Sequence, residues 1–124
     1  RKLAKKNRCF IVTNKPTFPS QIIINKLNLQ ESIEKVIGVD FFNKKGQSKS
    51  INLSNLIDNS SLDANKCIYI GDTLKDYLSA KKNKISFLGF MGGYYKWSND
   101  EINDIQNFYN KPNEIIEKLK IMKK

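Results

Sequence analysis

The sequence predicts an α/β domain in which helices cover both faces of a parallel sheet. Three observations predict it. The short apolar runs at residues 9–12, 36–39, 67–70 and 85–90 are continuous rather than alternating, as expected of strands buried on both faces. Amphipathic stretches at helical spacing separate them. The composition is that of one ordinary folded domain: 124 residues, 40% hydrophobic and 27% charged, with 6 Gly and 3 Pro.

Each element follows from local chemistry. The opening basic segment reads as a helix end, with Leu3 and Ala4 as its apolar positions. Cys9, Phe10, Ile11 and Val12 form a strand running into the polar loop Thr13-Asn14-Lys15-Pro16. A helix over 17–29 places Phe18, Ile22, Ile23 and Leu27 on its apolar side, and Asn28 suits a left-handed cap. The next strand, 36–40, closes on Asp40, and a loop rich in Gly, Gln, Ser and Lys leads to Ser50. Ser50 is a good N-cap for a helix through Asn59 with Ile51, Leu53, Leu56 and Ile57 facing inward. Residues 67–70 make the clearest strand, bounded by Gly71-Asp72 and followed by a helix over 74–82 that ends at Asn83. A strand over 85–90 leads into the loop 91–97, which carries Gly92, Gly93 and the aromatics Tyr94, Tyr95 and Trp97. Residues 105–109 read as a last short strand. Pro112 opens a helix over 113–122 whose stripe is Ile115, Ile116, Leu119 and Met122.

Composition also narrows the chemistry. The chain contains no His, which removes His bases, Ser-His triads and His-containing zinc sites and leaves carboxylates, Lys and hydroxyls. The net charge of +10 invites an anionic partner, yet the excess is almost all Lys, only Arg1 and Arg8 being Arg, and it is scattered. Charge spread in this way reads as a solvated surface with no specific nucleic-acid partner. No apolar run is long enough to span a bilayer, and the opening residues carry no signal-peptide core, so no membrane partner is expected. Cys9 and Cys67 both open apolar runs, where thiols pack as small hydrophobes, and a cytoplasmic location is expected.

In parallel α/β sheets, functional groups collect at the carboxyl ends of the strands. Thr13-Asn14, Asp40 and Gly71-Asp72-Thr73-Leu74-Lys75-Asp76 all fall there, and with Lys49 they are expected to converge on one sheet edge. The set resembles the haloacid-dehalogenase-like (HAD) hydrolase superfamily, in order and in spacing. The second motif, a strand ending in Thr or Ser, is similar to residues 10–16. The third, a Lys before a helix, is similar to Lys49, although Ser50 stands where the family usually has Pro, which leaves Lys44 and Lys45 as alternatives. The fourth, an apolar strand ending in Gly-Asp-x-x-x-Asp, is similar to residues 68–76. Residues 12–16, the run at 36–40 and the Gly-Tyr loop most resemble the phosphoglycolate-phosphatase-like branch. The resemblance covers about residues 3 to 122 and implies a Rossmann-like HAD core, residues 1–124 being a partial core domain with motifs two to four. It also implies a magnesium-dependent phosphatase acting on a small phosphorylated metabolite, and not a dehalogenase.

The residue chemistry suits these roles. The Thr13 hydroxyl and the Asn14 N–H can hold a phosphoryl group. Lys49, at a helix N-terminus, adds a cation where the helix itself favours phosphate. Asp72 and Asp76 suit Mg²⁺, Asp76 directly or through water. A plainer alternative has Asp72 capping its helix and Asp76 balancing the dipole. The family's first motif, an Asp-x-Asp that supplies the nucleophile and the acid/base, has no counterpart, since no two Asp residues here are two apart. The family's order would place that strand between those at 9–12 and 67–70. It and the cap domain are therefore expected upstream or on a complementing polypeptide. The competing class is a non-catalytic module, either a degenerate HAD-like domain or a basic α/β binding domain.

Overall fold

The computed structural model describes residues 7–122, so the helix end expected at Leu3 and Ala4 lies outside the described residues. The chain divides into two compact units, residues 1–59 and 60–124. Every strand pairing is parallel, and strands alternate with helices, as the apolar runs predict.

In the first unit, β1 (Phe10–Val12) pairs with β2 (Lys35–Ile37), with Val12 opposite Ile37. Helix α1 (Thr17–Lys26) connects them, and α2 (Lys49–Asn59) follows. Val36, Ile37, Ile24, Leu53 and Leu56 form the core. Asn28 takes the left-handed conformation expected of it, at φ +56°. Two expectations change here. Phe18, at 74% exposure, and Ile22, Ile23 and Leu27 lie at the surface, while Ser20 and Ile24 are the buried positions of α1. Its apolar residues are spread around the helix, so their spacing did not define an inner face. Helix α2 also begins one residue before Ser50: the Ser48 hydroxyl accepts the Ile51 N–H at 3.2 Å, making Ser48 the cap. On the inward side of α2, Asn52 is fully buried beside Leu53 and Leu56, while Ile51 is exposed.

In the second unit the sheet order is β3 (Ile68–Gly71), β4 (Ser86–Phe90), β5 (Phe108–Tyr109). Helix α3 (Leu74–Lys82) joins β3 to β4, and α5 (Ile115–Met122) follows a 3₁₀ turn at Pro112–Glu114. Phe87, Leu88, Ala80, Ile85, Ile105, Tyr109 and Leu119 form the core. Asn83 caps α3, but the left-handed residue is Lys84, at φ +58°. The strand expected over 105–109 is confined to its last two residues, because α4 (Asn99–Ile105) occupies the segment before it. Ser98 and Glu101 close a reciprocal capping box at the start of α4. Among the described residues, neither Cys9 nor Cys67 is in a disulfide. Among the described residues no helix is long and apolar enough to cross a membrane.

Candidate active site

Two groups of residues stand at strand carboxyl ends, one in each unit. In the first unit, Thr13 directly follows β1, and its N–H continues the ladder by donating to Ile37 O at 3.0 Å. The Thr13 hydroxyl accepts the Lys15 N–H at 3.2 Å, which tightens the loop and leaves the hydroxyl proton to be donated. Asn14 is exposed at the tip of this loop.

The neighbouring strand end locks onto α1. Gly38 N–H donates to Thr17 Oγ1 at 3.0 Å, and a Cβ at position 38 would collide with the Thr17 backbone nitrogen, so only glycine fits. Asp40 accepts the Thr17 N–H at 2.8 Å and so caps α1 from a distant loop. The Thr17 backbone N–H, and secondly its hydroxyl, hold the Asp40 carboxyl below its ordinary value. β2 ends at Ile37, so Asp40 lies in the turn beyond it rather than closing the strand expected over 36–40, and its hydrogen bonding gives it a structural task.

Lys49 is the first residue of α2, rather than preceding the helix. No acidic residue stands in that first turn, so the α2 N-terminus carries a basic residue type at its partly positive end. Such a placement opposes the helix dipole and is relieved by an anion bound at the same end. Lys44 and Lys45 sit instead in the exposed turn held by Asn43, whose side chain accepts the Lys45 N–H at 3.0 Å.

In the second unit, Asp72 is exposed at the tip of β3. Thr73, and not Asp72, is the N-cap of α3, its hydroxyl accepting the Asp76 N–H at 3.3 Å. That removes the plainer capping account of Asp72. Asp76 is buried, and its carboxylate accepts the Asp72 N–H at 3.2 Å, the Thr73 hydroxyl at 3.1 Å and the Tyr69 hydroxyl at 3.4 Å. It therefore braces the backbone that presents Asp72. Burial, then the Asp76 charge, push the Tyr69 hydroxyl far above its ordinary pKa, so it remains a donor. Gly71 makes this possible, because a Cβ there would stand 2.5 Å from Asp76 Cβ. Gly93 lies close against Asp72 from the loop after β4. In that loop Tyr95 donates to Glu101 at 2.7 Å, and the Trp97 indole donates to Phe90 O at 3.0 Å while packing on Phe108. Those two rings are packing residues, whereas Tyr94 is fully exposed.

Magnesium requires few protein ligands, since it keeps waters and takes substrate oxygens. Among the described residues no group of three His, Cys, Asp or Glu is assembled, but one exposed carboxylate on a braced loop fits a hard cation of this kind. Sequence reasoning missed Asn52, the buried amide one turn after Lys49. A polar residue on the apolar side of a helix was the available signal.

Thr13 and Asp72 directly follow parallel strands, where α/β folds collect functional groups. Residues 1–90 match the haloacid dehalogenase-like hydrolase family, and the chain belongs to it. A phosphoglycolate phosphatase of Xanthomonas campestris pv. campestris is 28% identical over 92 residues, 74% of this chain and 41% of the relative, in keeping with the phosphoglycolate-phosphatase-like branch. A haloacid dehalogenase-like family hydrolase from Streptococcus pneumoniae superposes with a TM-score of 0.79 at 21% identity, over 94% of this chain and 54% of that one. A HAD-superfamily hydrolase of subfamily IA, variant 1, from Geobacter sulfurreducens gives 0.72 at 14% identity, again over 94% and 54%. The chain thus spans about half the length of the proteins it matches, and the shared fold is the HAD-type Rossmann-like core.

Proposed function

We propose that this chain carries the phosphate- and metal-binding half of a magnesium-dependent phosphomonoesterase whose substrate is a small phosphorylated metabolite of the cytoplasm. The observation that supports the reading is the exposed Asp72 at the tip of β3, on backbone braced by Asp76 and not used to cap α3. Thr13 donates its hydroxyl, and Asn14 its backbone N–H, to phosphoryl oxygens. Lys49 places a compact cation on the same group and adds to the pull of the α2 N-terminus. Asp72 holds Mg²⁺, with Asp76 setting the loop and reaching the ion through water at most. When bound, the ion offsets charge on the transferring phosphoryl group.

The nucleophile in this reading is an aspartate that becomes phosphorylated and is then hydrolysed. This sequence contains no Asp-x-Asp to supply it, so it comes from residues preceding this stretch or from a complementing polypeptide. Calorimetric titration with Mg²⁺ tests the metal half directly. The unsubstituted chain should take up the ion and Asp72→Asn should not. Equal uptake by both would remove Asp72 from the metal site. In the complete enzyme Lys49→Ala should lower turnover by a factor on the order of 10² to 10³, as for other preorganised charge-stabilising groups.

A further inference from the structure

Asn52 is fully buried on a helix whose other inward residues are Leu53 and Leu56, a costly place for an amide unless it is bonded on every side. Its surroundings meet that need. The amide nitrogen lies 3.4 Å from Gly38 O, 3.5 Å from Val39 O and 3.4 Å from Gln47 O, and its oxygen accepts the Gln47 side-chain amide at 3.1 Å. These partners are the two ends of the loop that leads from β2 to α2. The loop is closed again by Gln47 N–H donating to Val39 O at 3.1 Å.

The same loop is tied to the phosphate-loop side of the unit. Val39 N–H donates to Lys15 O at 2.9 Å, Gly38 N–H to Thr17 Oγ1, and Thr13 N–H to Ile37 O. A continuous run of hydrogen bonds therefore leads from the Thr13-Asn14 loop, through the end of β2, to Asn52, which stands one helical turn from Lys49. A leucine at position 52 would make none of these bonds. An amide gains something only by holding this loop.

We infer that Asn52 is a positioning residue: it fixes the start of α2, and so Lys49, against the loop of Thr13 and Asn14, so that both face one phosphoryl group. The inference rests on the proposed phosphate role of Lys49. Four forms of the chain test it by titration with inorganic phosphate, followed through the backbone amide signals of residues 13–15: unsubstituted, Asn52→Leu, Lys49→Met and the double variant. Urea unfolding of each is recorded alongside.

Asn52→Leu should weaken phosphate binding about tenfold, and Lys49→Met by a similar factor, as expected when one charge-assisted contact of about 1.4 kcal/mol is lost. The double variant should bind no more weakly than Lys49→Met alone, because Asn52 acts through Lys49. A residue that only stabilises the unit would move the urea midpoint without moving affinity in the folded state. Unchanged affinity in folded Asn52→Leu overturns the inference, and so does a multiplicative, roughly hundredfold loss in the double variant. Unchanged affinity in Lys49→Met overturns instead the phosphate role of Lys49. If Asn52→Leu does not fold, Gln47→Ala, which cuts only the bond to the Asn52 oxygen, should weaken phosphate about fivefold in the Lys49 background and not at all in Lys49→Met. Equal losses in both backgrounds overturn the inference.

Discussion

Asp76 carries a heavier structural load than a metal-binding aspartate needs. Its oxygens collect three donors from Tyr69, Asp72 and Thr73, and its Cβ presses on Gly71. Packing and hydrogen bonding thereby account for the Gly-Asp-x-x-x-Asp spacing. Gly71→Ala should destabilise the chain by about 1–3 kcal/mol through overpacking, measured by urea unfolding. It should also weaken Mg²⁺ uptake by displacing Asp72. Asp40 gives a pH prediction. Its folded pKa lies below the ordinary carboxyl value near 4, so the folded state binds the proton less readily than the unfolded one. The stabilisation is present above about pH 4 to 5 and is lost as pH falls through the lowered folded value. Thermal midpoints between about pH 6 and pH 3 should fall less steeply for Asp40→Asn than for the unsubstituted chain. A parallel fall would show that the Thr17–Asp40 cap contributes nothing to acid sensitivity.

Helices and strands were legible wherever a single local signal was strong. The runs at 9–12, 67–70 and 85–90 became strands to within a residue at either end, the one at 36–40 is a strand only over 35–37, and α3 has the bounds expected of it. Thr13 and Asp72 directly follow β1 and β3 as expected, whereas Lys49 and Asp76 lie in the first turns of α2 and α3. Helix α4 was overlooked, although Ser98-Asn99-Asp100-Glu101 is a capping-box sequence, because the aromatic loop before it and the apolar residues after it read as loop and strand. Ser98→Ala should cost about 1 kcal/mol by losing the cap, measured by chemical denaturation. The α1 face was misread because Phe18, Ile22, Ile23 and Leu27 lie on different sides of the helix, and burial is decided by tertiary packing. Distant pairings such as Asp40 with Thr17 or Asn52 with Gly38 leave no local trace in a single sequence. They are where sequence reasoning stops.

At the scale of the whole molecule, the two sheets are small, and each has an outer strand carrying a motif. Among the described residues β1 pairs only with β2, and β3 only with β4. Their apolar residues are incompletely buried, Ile70 being exposed. Strand edges of this kind lower stability and invite pairing with another chain. The sequence lacks an Asp-x-Asp, and hydrolysis of phosphate monoesters needs accelerations of up to about 10²¹, beyond what phosphate and metal binding alone supply. The proposed function is that this chain holds phosphate and metal but not the nucleophile. Its most direct test is an aryl phosphatase assay with Mg²⁺ on the purified 124-residue chain, alone and mixed with a polypeptide bearing an apolar Asp-x-Asp strand. The proposed function predicts no turnover from the chain alone and magnesium-dependent turnover on mixing, lost again in Asp72→Asn. Turnover by the chain alone that survives removal of contaminating phosphatase would contradict it.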